Sequence, residues 1–216
     1  MFSYKWSKTA FVAGDRLLDF LNTVDFCGRT GNHNRLTSYA SVVEWSLAAA
    51  IIDSAEAQAI SLIAANAPFQ AKQALIDLVP WRETVYQVFS AVSQKYEPAP
   101  EDWRIVEVSI QDAISSASLK RNDIGIAHWV AVSNGLTTIP QRLALSLNEL
   151  LSRDLVVKLK KCEGCTWLFI DTSKSHRRRW CAMATCGSRA KAQRYSQMTA
   201  LDRGRAVETH VHNVIL

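Results

Sequence analysis

The chain has 216 residues, 48% of them apolar, which suits one or two globular domains and excludes a disordered or fibrous chain. No apolar run reaches the roughly 18 residues needed to cross a bilayer, and Met1 to Lys8 lacks the apolar core and small-residue cleavage site of a secretory signal. A cytoplasmic protein with no membrane partner is expected. The net charge of +5 is unevenly spread: residues 1–150 hold 12 basic and 15 acidic side chains, whereas residues 151–216 hold 13 and 5. A back end that attracts phosphate behind a front that repels it suggests two regions with different partners.

Taken in chain order, Leu17, Leu21 and Val24 have helical spacing over 14–24. Gly28, Gly31, Asn32 and Asn34 mark a loop over 26–36, in which Cys27 is a bystander thiol. Thr37 or Ser38 can cap a helix through Tyr39, Val43 and Leu47, and Asp53-Ser54 can cap a second over 55–67. Pro68 fits the first turn of a third helix, which Pro80 should break or kink before the pattern restarts at Trp81. A further helix starts at Glu101. Ile124, Ile126, His128, Val130 and Val132 then alternate as a strand, entered through Asn122-Asp123 and left through Asn134-Gly135, with His128 read as a core histidine. Trp45, Trp81 and Trp103 are also expected in the core. Pro140 opens a helix through Leu151, and residues 155–160 read as a short strand leading into a cysteine cluster.

Four of the five cysteines follow the pattern Cys162-x2-Cys165-x15-Cys181-x4-Cys186. Two close pairs at this separation, in a cytoplasmic chain, point to zinc rather than to disulfides. A Cys-x-x-Cys turn aims two thiolates at one ion, and a second pair brought back by a hairpin completes a tetrahedron. Four thiolates leave no position for a reacting water, so one structural zinc ion is expected rather than a catalytic one; a redox switch working through zinc release, and another metal such as an iron–sulfur cluster, are the other readings. Lys160, Lys161 and Arg179 are placed to offset the negative charge. Knuckle, hairpin and then a helix from Gly187 onward give the order of a treble clef.

Arg177, Arg178 and Arg179 precede the second pair, and Arg189, Lys191 and Arg194 follow it, with Arg203 and Arg205 beyond. Arginines held beside a metal-fixed scaffold suit contact with DNA, because guanidinium groups pair with phosphates and guanine edges. Neutralising about six phosphates would give a log–log salt slope near −5. The plainer reading is a solvated surface. Trp180 reads as packing rather than base stacking.

The motif Cys162-Glu-Gly-Cys165-Thr-Trp-Leu-Phe-Ile-Asp171, with Arg178-Arg-Trp-Cys181 and Cys186-Gly-Ser-Arg189, resembles the CGNR zinc-finger family. Leu18-Asp-Phe-Leu-Asn-Thr23 resembles the early signature of the ABATE domain that precedes that finger. The resemblance implies a bacterial, stress-induced transcription regulator with a treble-clef DNA-binding finger behind a mixed domain suspected of binding a small ligand. Ser188 stands where the motif has Asn; a serine can cap the helix or touch a phosphate, so it joins the expected DNA contacts.

The expected fold is therefore α+β: a mostly helical, ABATE-like part with a small sheet over 1–152, a finger over 153–200 and a tail over 201–216. Asp19 and Asn22, three apart on one helix, and Arg82 on another are the candidate ligand contacts, with Trp45, Tyr86 and Trp103 nearby; their plainer role is as interhelical polar groups. His210 and His212 form too small a set to hold a metal alone. No nucleophile–base pairing, glycine-rich phosphate loop or His-Glu-x-x-His motif is present, so no enzyme is expected. A single finger reads little sequence, which favours a homodimer. A protein-interaction adaptor, with the basic face meeting an acidic partner instead of DNA, is the alternative function.

Overall fold

The computed structural model describes residues 6–7, 10–25, 33–132 and 135–199. Cys27, Arg203, Arg205, His210 and His212 lie outside them. The elements run α1 (Arg16–Leu21), β1 (Val24–Asp25), β2 (His33–Asn34), α2 (Tyr39–Ala48), α3 (Ser54–Asn66), α4 (Pro68–Ser93), α5 (Pro100–Ser115), β3 (Ala117–Arg121), β4 (Ala127–Ala131), α6 (Thr138–Leu151), β5 (Leu159–Lys161) and β6 (Leu168–Ile170), followed by α7 over 188–199. Consecutive strands pair into three antiparallel two-stranded ladders. The α+β class is as expected.

Local chemistry sets several helix starts. Ser38 and Ser41 close a reciprocal capping box on α2, and Asp53 and Glu56 do the same on α3. Pro68 and Pro100 sit in the first turns of α4 and α5, where their missing N–H costs nothing. Arg142 of α6 donates to Glu56 and to the Ile51 carbonyl, tying α6 to the start of α3.

Six expectations are corrected. Helix α4 runs unbroken through Pro80 for 26 residues. Pro80 and Ile76, whose carbonyl loses its helical partner, are both exposed, so water can satisfy that group. The turns on either side bury Leu78, Arg82, Val85 and Phe89, and that packing outweighs the local loss. The alternating segment over 119–132 is a hairpin rather than one strand: Ala117 pairs with Ala131 and Arg121 with Ala127, and Ile124 and Ile126 stand exposed at its turn. His128 is exposed on this two-stranded ribbon, which has too few neighbours to bury both faces. Trp103 is exposed on α5 as well. Residues Asp154–Lys158 form a 3-10 turn, and the strand begins only at Leu159. Val24 belongs to β1, not to α1.

One hydrophobic core spans both ends of the chain. Leu17, Phe20, Trp45, Phe89 and Leu143 are continuous with Leu159, Leu168, Phe169, Ile170 and the buried Cys162, Cys181 and Cys186. The outer edge of β6 is covered by the front of the molecule. Asn22 at the end of α1 pairs through its side chain with both backbone groups of Leu168, and Ile170 N donates to the Ala13 carbonyl at 2.7 Å. A two-stranded ladder with an open edge is marginal in water, and here that edge is closed.

Candidate metal centre and basic face

The β5–β6 hairpin carries the first cysteine pair at its turn. Cys162 N donates to the Trp167 carbonyl at 2.9 Å, so the two strands close around the knuckle. Gly164 N and Cys181 N then point at Cys162 Sγ, at 3.4 and 3.2 Å. A Cβ on Gly164 would lie 3.0 Å from Cys186 Cβ, so the knuckle and the second pair meet too closely for a side chain there. Cys186 sits in a single wide turn, Met183–Gly187, that leads into α7.

The four Sγ atoms all lie within 4.8 Å of one another, and Cys181 Sγ is 3.7 Å from both Cys165 Sγ and Cys186 Sγ. A tetrahedron with metal–sulfur bonds near ~2.3 Å separates its sulfurs by ~3.8 Å. The donor set and its spacing therefore fit one zinc ion. The crowded thiols share their protons, which holds Cys162 below the ordinary thiol range and pushes Cys165 and Cys181 above it. Sulfurs buried this close together need a cation among them before all can be thiolates.

The group that offsets this charge is not one of the three expected. Arg189 places its guanidinium 3.0 Å from Cys186 Sγ. Lys160 instead bonds the Asp171 carboxylate at 2.7 Å, Lys161 reaches Ser90 Oγ and lies over the Tyr86 ring, and Arg179 pairs with Glu163 through both Nε and Nη2. Arg189 stands three residues after Cys186, the one signal in the sequence for this contact.

Asp171 is a structural centre that was not singled out from the sequence. Its buried carboxylate accepts from Lys160 Nζ, Ser173 N, Ser173 Oγ and Arg178 N. Burial alone would raise its pKa; Lys160 and the other donors reverse that and hold it well below the usual carboxylate range. The loop after β6 is thereby fixed at both ends, and His176 in it adopts a positive φ of 49° while its carbonyl accepts from Lys160.

The expected DNA contacts divide into two groups. Arg178 is half-buried: it lies over Phe169 and donates to the carbonyls of Val12, Trp180 and Cys181. Arg179 and Arg189 have the partners given above, and Ser188 Oγ donates to the Met183 carbonyl. Arg177, Lys191 and Arg194 are exposed, without an ion-pair partner among the described residues. Helix α7 is exposed at every position from 191 to 198. Lys191, Arg194, Tyr195 and Met198 follow helical spacing along one stripe, with Tyr195 73% and Met198 59% exposed. Trp180 packs against the core, as expected.

The candidate ligand contacts are buried and bonded to other parts of the chain. Asp19 accepts from Ala13 N at 3.0 Å, Asn22 is occupied by Leu168, and Arg82 donates to Thr23 Oγ1, Asn34 Oδ1 and Glu83.

The model of the family described as "Putative stress-induced transcription regulator", ABATE, matches residues 14–154, more than half of the chain. The chain belongs to the ABATE family. The CGNR zinc-finger model matches residues 158–198, which contain all four clustered cysteines, so this ABATE protein carries a zinc finger with a site for one structural zinc. No curated protein matches the chain significantly. Among the described residues, no helix of this ABATE member is long and apolar enough to cross a membrane.

Proposed function

We propose that this ABATE protein regulates transcription by binding DNA through the α7 stripe of its zinc finger, under control of a small ligand held in its front part. The carrying observation is that α7 stands exposed over 191–198, with Lys191 and Arg194 unpaired among the described residues, on a base fixed by four clustered sulfurs. A surface helix with no packed face is normally unstable by itself, so a partner that covers it is the natural completion. Arg177 adds a third free cation from a loop whose neighbours are pinned. Arg178 and Arg189 hold the scaffold in this reading, and Arg179 joins only by releasing Glu163, an exposed pair that costs little to open.

Three phosphate contacts rather than six give an expected log–log salt slope near −3. Fluorescence anisotropy of labelled duplex DNA with the zinc-loaded full chain, between low and physiological salt, tests this. Lys191→Ala with Arg194→Ala should weaken binding at every sequence. Absent binding, or affinity indifferent to salt, removes the DNA reading.

The exposed Tyr195 and Met198 on the same stripe favour one rival, an adaptor that docks an acidic protein segment with an apolar centre. Capture of such a partner that excess duplex DNA fails to displace would select it.

A further inference from the structure

We infer that the cavity between α4, α5 and α6 binds a small organic cation with an apolar body, an inference that rests on the ligand-sensing part of the function proposed above. The cavity measures about 390 Å³, within the roughly 300–1,000 Å³ of small-molecule sites. Its walls are apolar: Leu78 and Trp81 from α4, Leu136 from the turn before α6, and Ala144 from α6. Asp77 on α4 and Asp112 on α5 also line it and are exposed, and no lining residue is cationic.

The electrostatics select the sign of the ligand. Asp77 is bonded only by the neutral Gln73 amide at 2.8 Å, and the Asp112 carboxylate has no partner among the described residues. Asp112 also lies in the last turn of α5, which has no basic residue. A carboxylate there opposes the helix dipole and adds to the negative field of the terminal carbonyls. The Gln141 side chain reinforces it. Its amide nitrogen donates to Ser116 Oγ, which leaves Oε1 buried in the wall without a partner. An ammonium group in this cavity offsets the carboxylate charge, while an aromatic or aliphatic body lies against Trp81, whose face also attracts cations. Both full charges in the lining repel an anion, and no cationic side chain there offsets them.

The test uses the zinc-loaded full chain and three probes of one shape: phenethylamine, 2-phenylethanol and phenylacetate. Titration is followed by the Trp81 indole N–H resonance. Phenethylamine should bind at least about tenfold more tightly than the alcohol, with phenylacetate weakest. Asp77→Asn with Asp112→Asn, both at exposed positions, should abolish the preference without lowering the melting temperature, and Ala144→Phe, which fills the cavity, should abolish binding of all three. Equal or tighter binding of the alcohol or the acid at Trp81 would overturn the cationic class while keeping a ligand site in the front part. Resonance shifts confined elsewhere in the front part would overturn this cavity but not ligand sensing. No shift anywhere with millimolar probe would overturn the cavity assignment and count against ligand sensing too.

Discussion

The side-chain amide of Asn22 forms two hydrogen bonds of 2.9 Å with the backbone of Leu168, 146 residues further along the chain: Nδ2 donates to the carbonyl and Oδ1 accepts from the N–H. An asparagine used in this way replaces a neighbouring strand, so the finger's hairpin is completed by the front of the molecule. Asn22→Ala would leave both Leu168 groups buried and unpaired, at a cost of about 2–4 kcal/mol. Urea unfolding of the zinc-loaded chain should show that loss in one shared transition for both parts. A change below about 0.5 kcal/mol, or two separate transitions, would show that the clamp is not coupling them.

Because Cys162, Cys181 and Cys186 belong to the same core as Leu17 and Phe89, metal removal should reach beyond the finger. Structural zinc contributes on the order of 10–16 kcal/mol of apparent binding energy in small fingers. One zinc per chain is expected by elemental analysis. A strong chelator should lower the melting temperature of the whole molecule and expose Trp167, whose indole now donates to the Val24 carbonyl. A front part that melts at an unchanged temperature would contradict the shared core.

Arg189 sits on Cys186 Sγ, so its charge should matter to metal retention. Arg189→Ala is expected to speed zinc transfer to a colorimetric chelator about 10–100-fold, in the range of other outer-sphere losses, with Arg189→Lys in between. Unchanged transfer combined with weakened DNA binding would assign Arg189 to the nucleic acid instead.

Burial raises the Asp19 carboxyl from 3.8 to about 7, despite the hydrogen bond from Ala13 N. Between about pH 4 and pH 7 the folded chain keeps a proton there that the unfolded chain has lost. Stability from this group therefore falls as pH rises through that window, by up to about 4 kcal/mol, and levels off above it. Asp19→Asn should remove this slope relative to wild type and be the more stable protein at pH 8. Parallel stability–pH curves for the two would place the Asp19 pKa near its ordinary value.

Much of the architecture was legible because the signals are short-range. Ser38, Asp53 and Pro68 mark helix starts by what each does to its own turn, and the cysteine spacing encodes a tetrahedron within 25 residues of chain. The failures share a cause. Pro80 reads as a break because its cost is local, while the packing of Leu78 and Phe89 that outweighs it is tertiary. His128 and Trp103 look like core residues by pattern, yet the ribbon and α5 have too little covering them. Nothing near Asn22 signals a partner 146 positions away. Among the arginines, composition reveals the charge but not which side chains are already spoken for: Arg178 by Phe169, Arg179 by Glu163, Arg189 by Cys186.

Helix α4 borders the cavity with Asp77 and Trp81 and rests on the finger with Tyr86, whose hydroxyl donates to the Thr166 carbonyl, and with Ser90, which accepts from Lys161. From Asp77 to Ser90 is about 20 Å along one rod at 1.5 Å per residue. Both stations lie on that one unbroken helix, so a tilt of its axis at one station is displacement at the other.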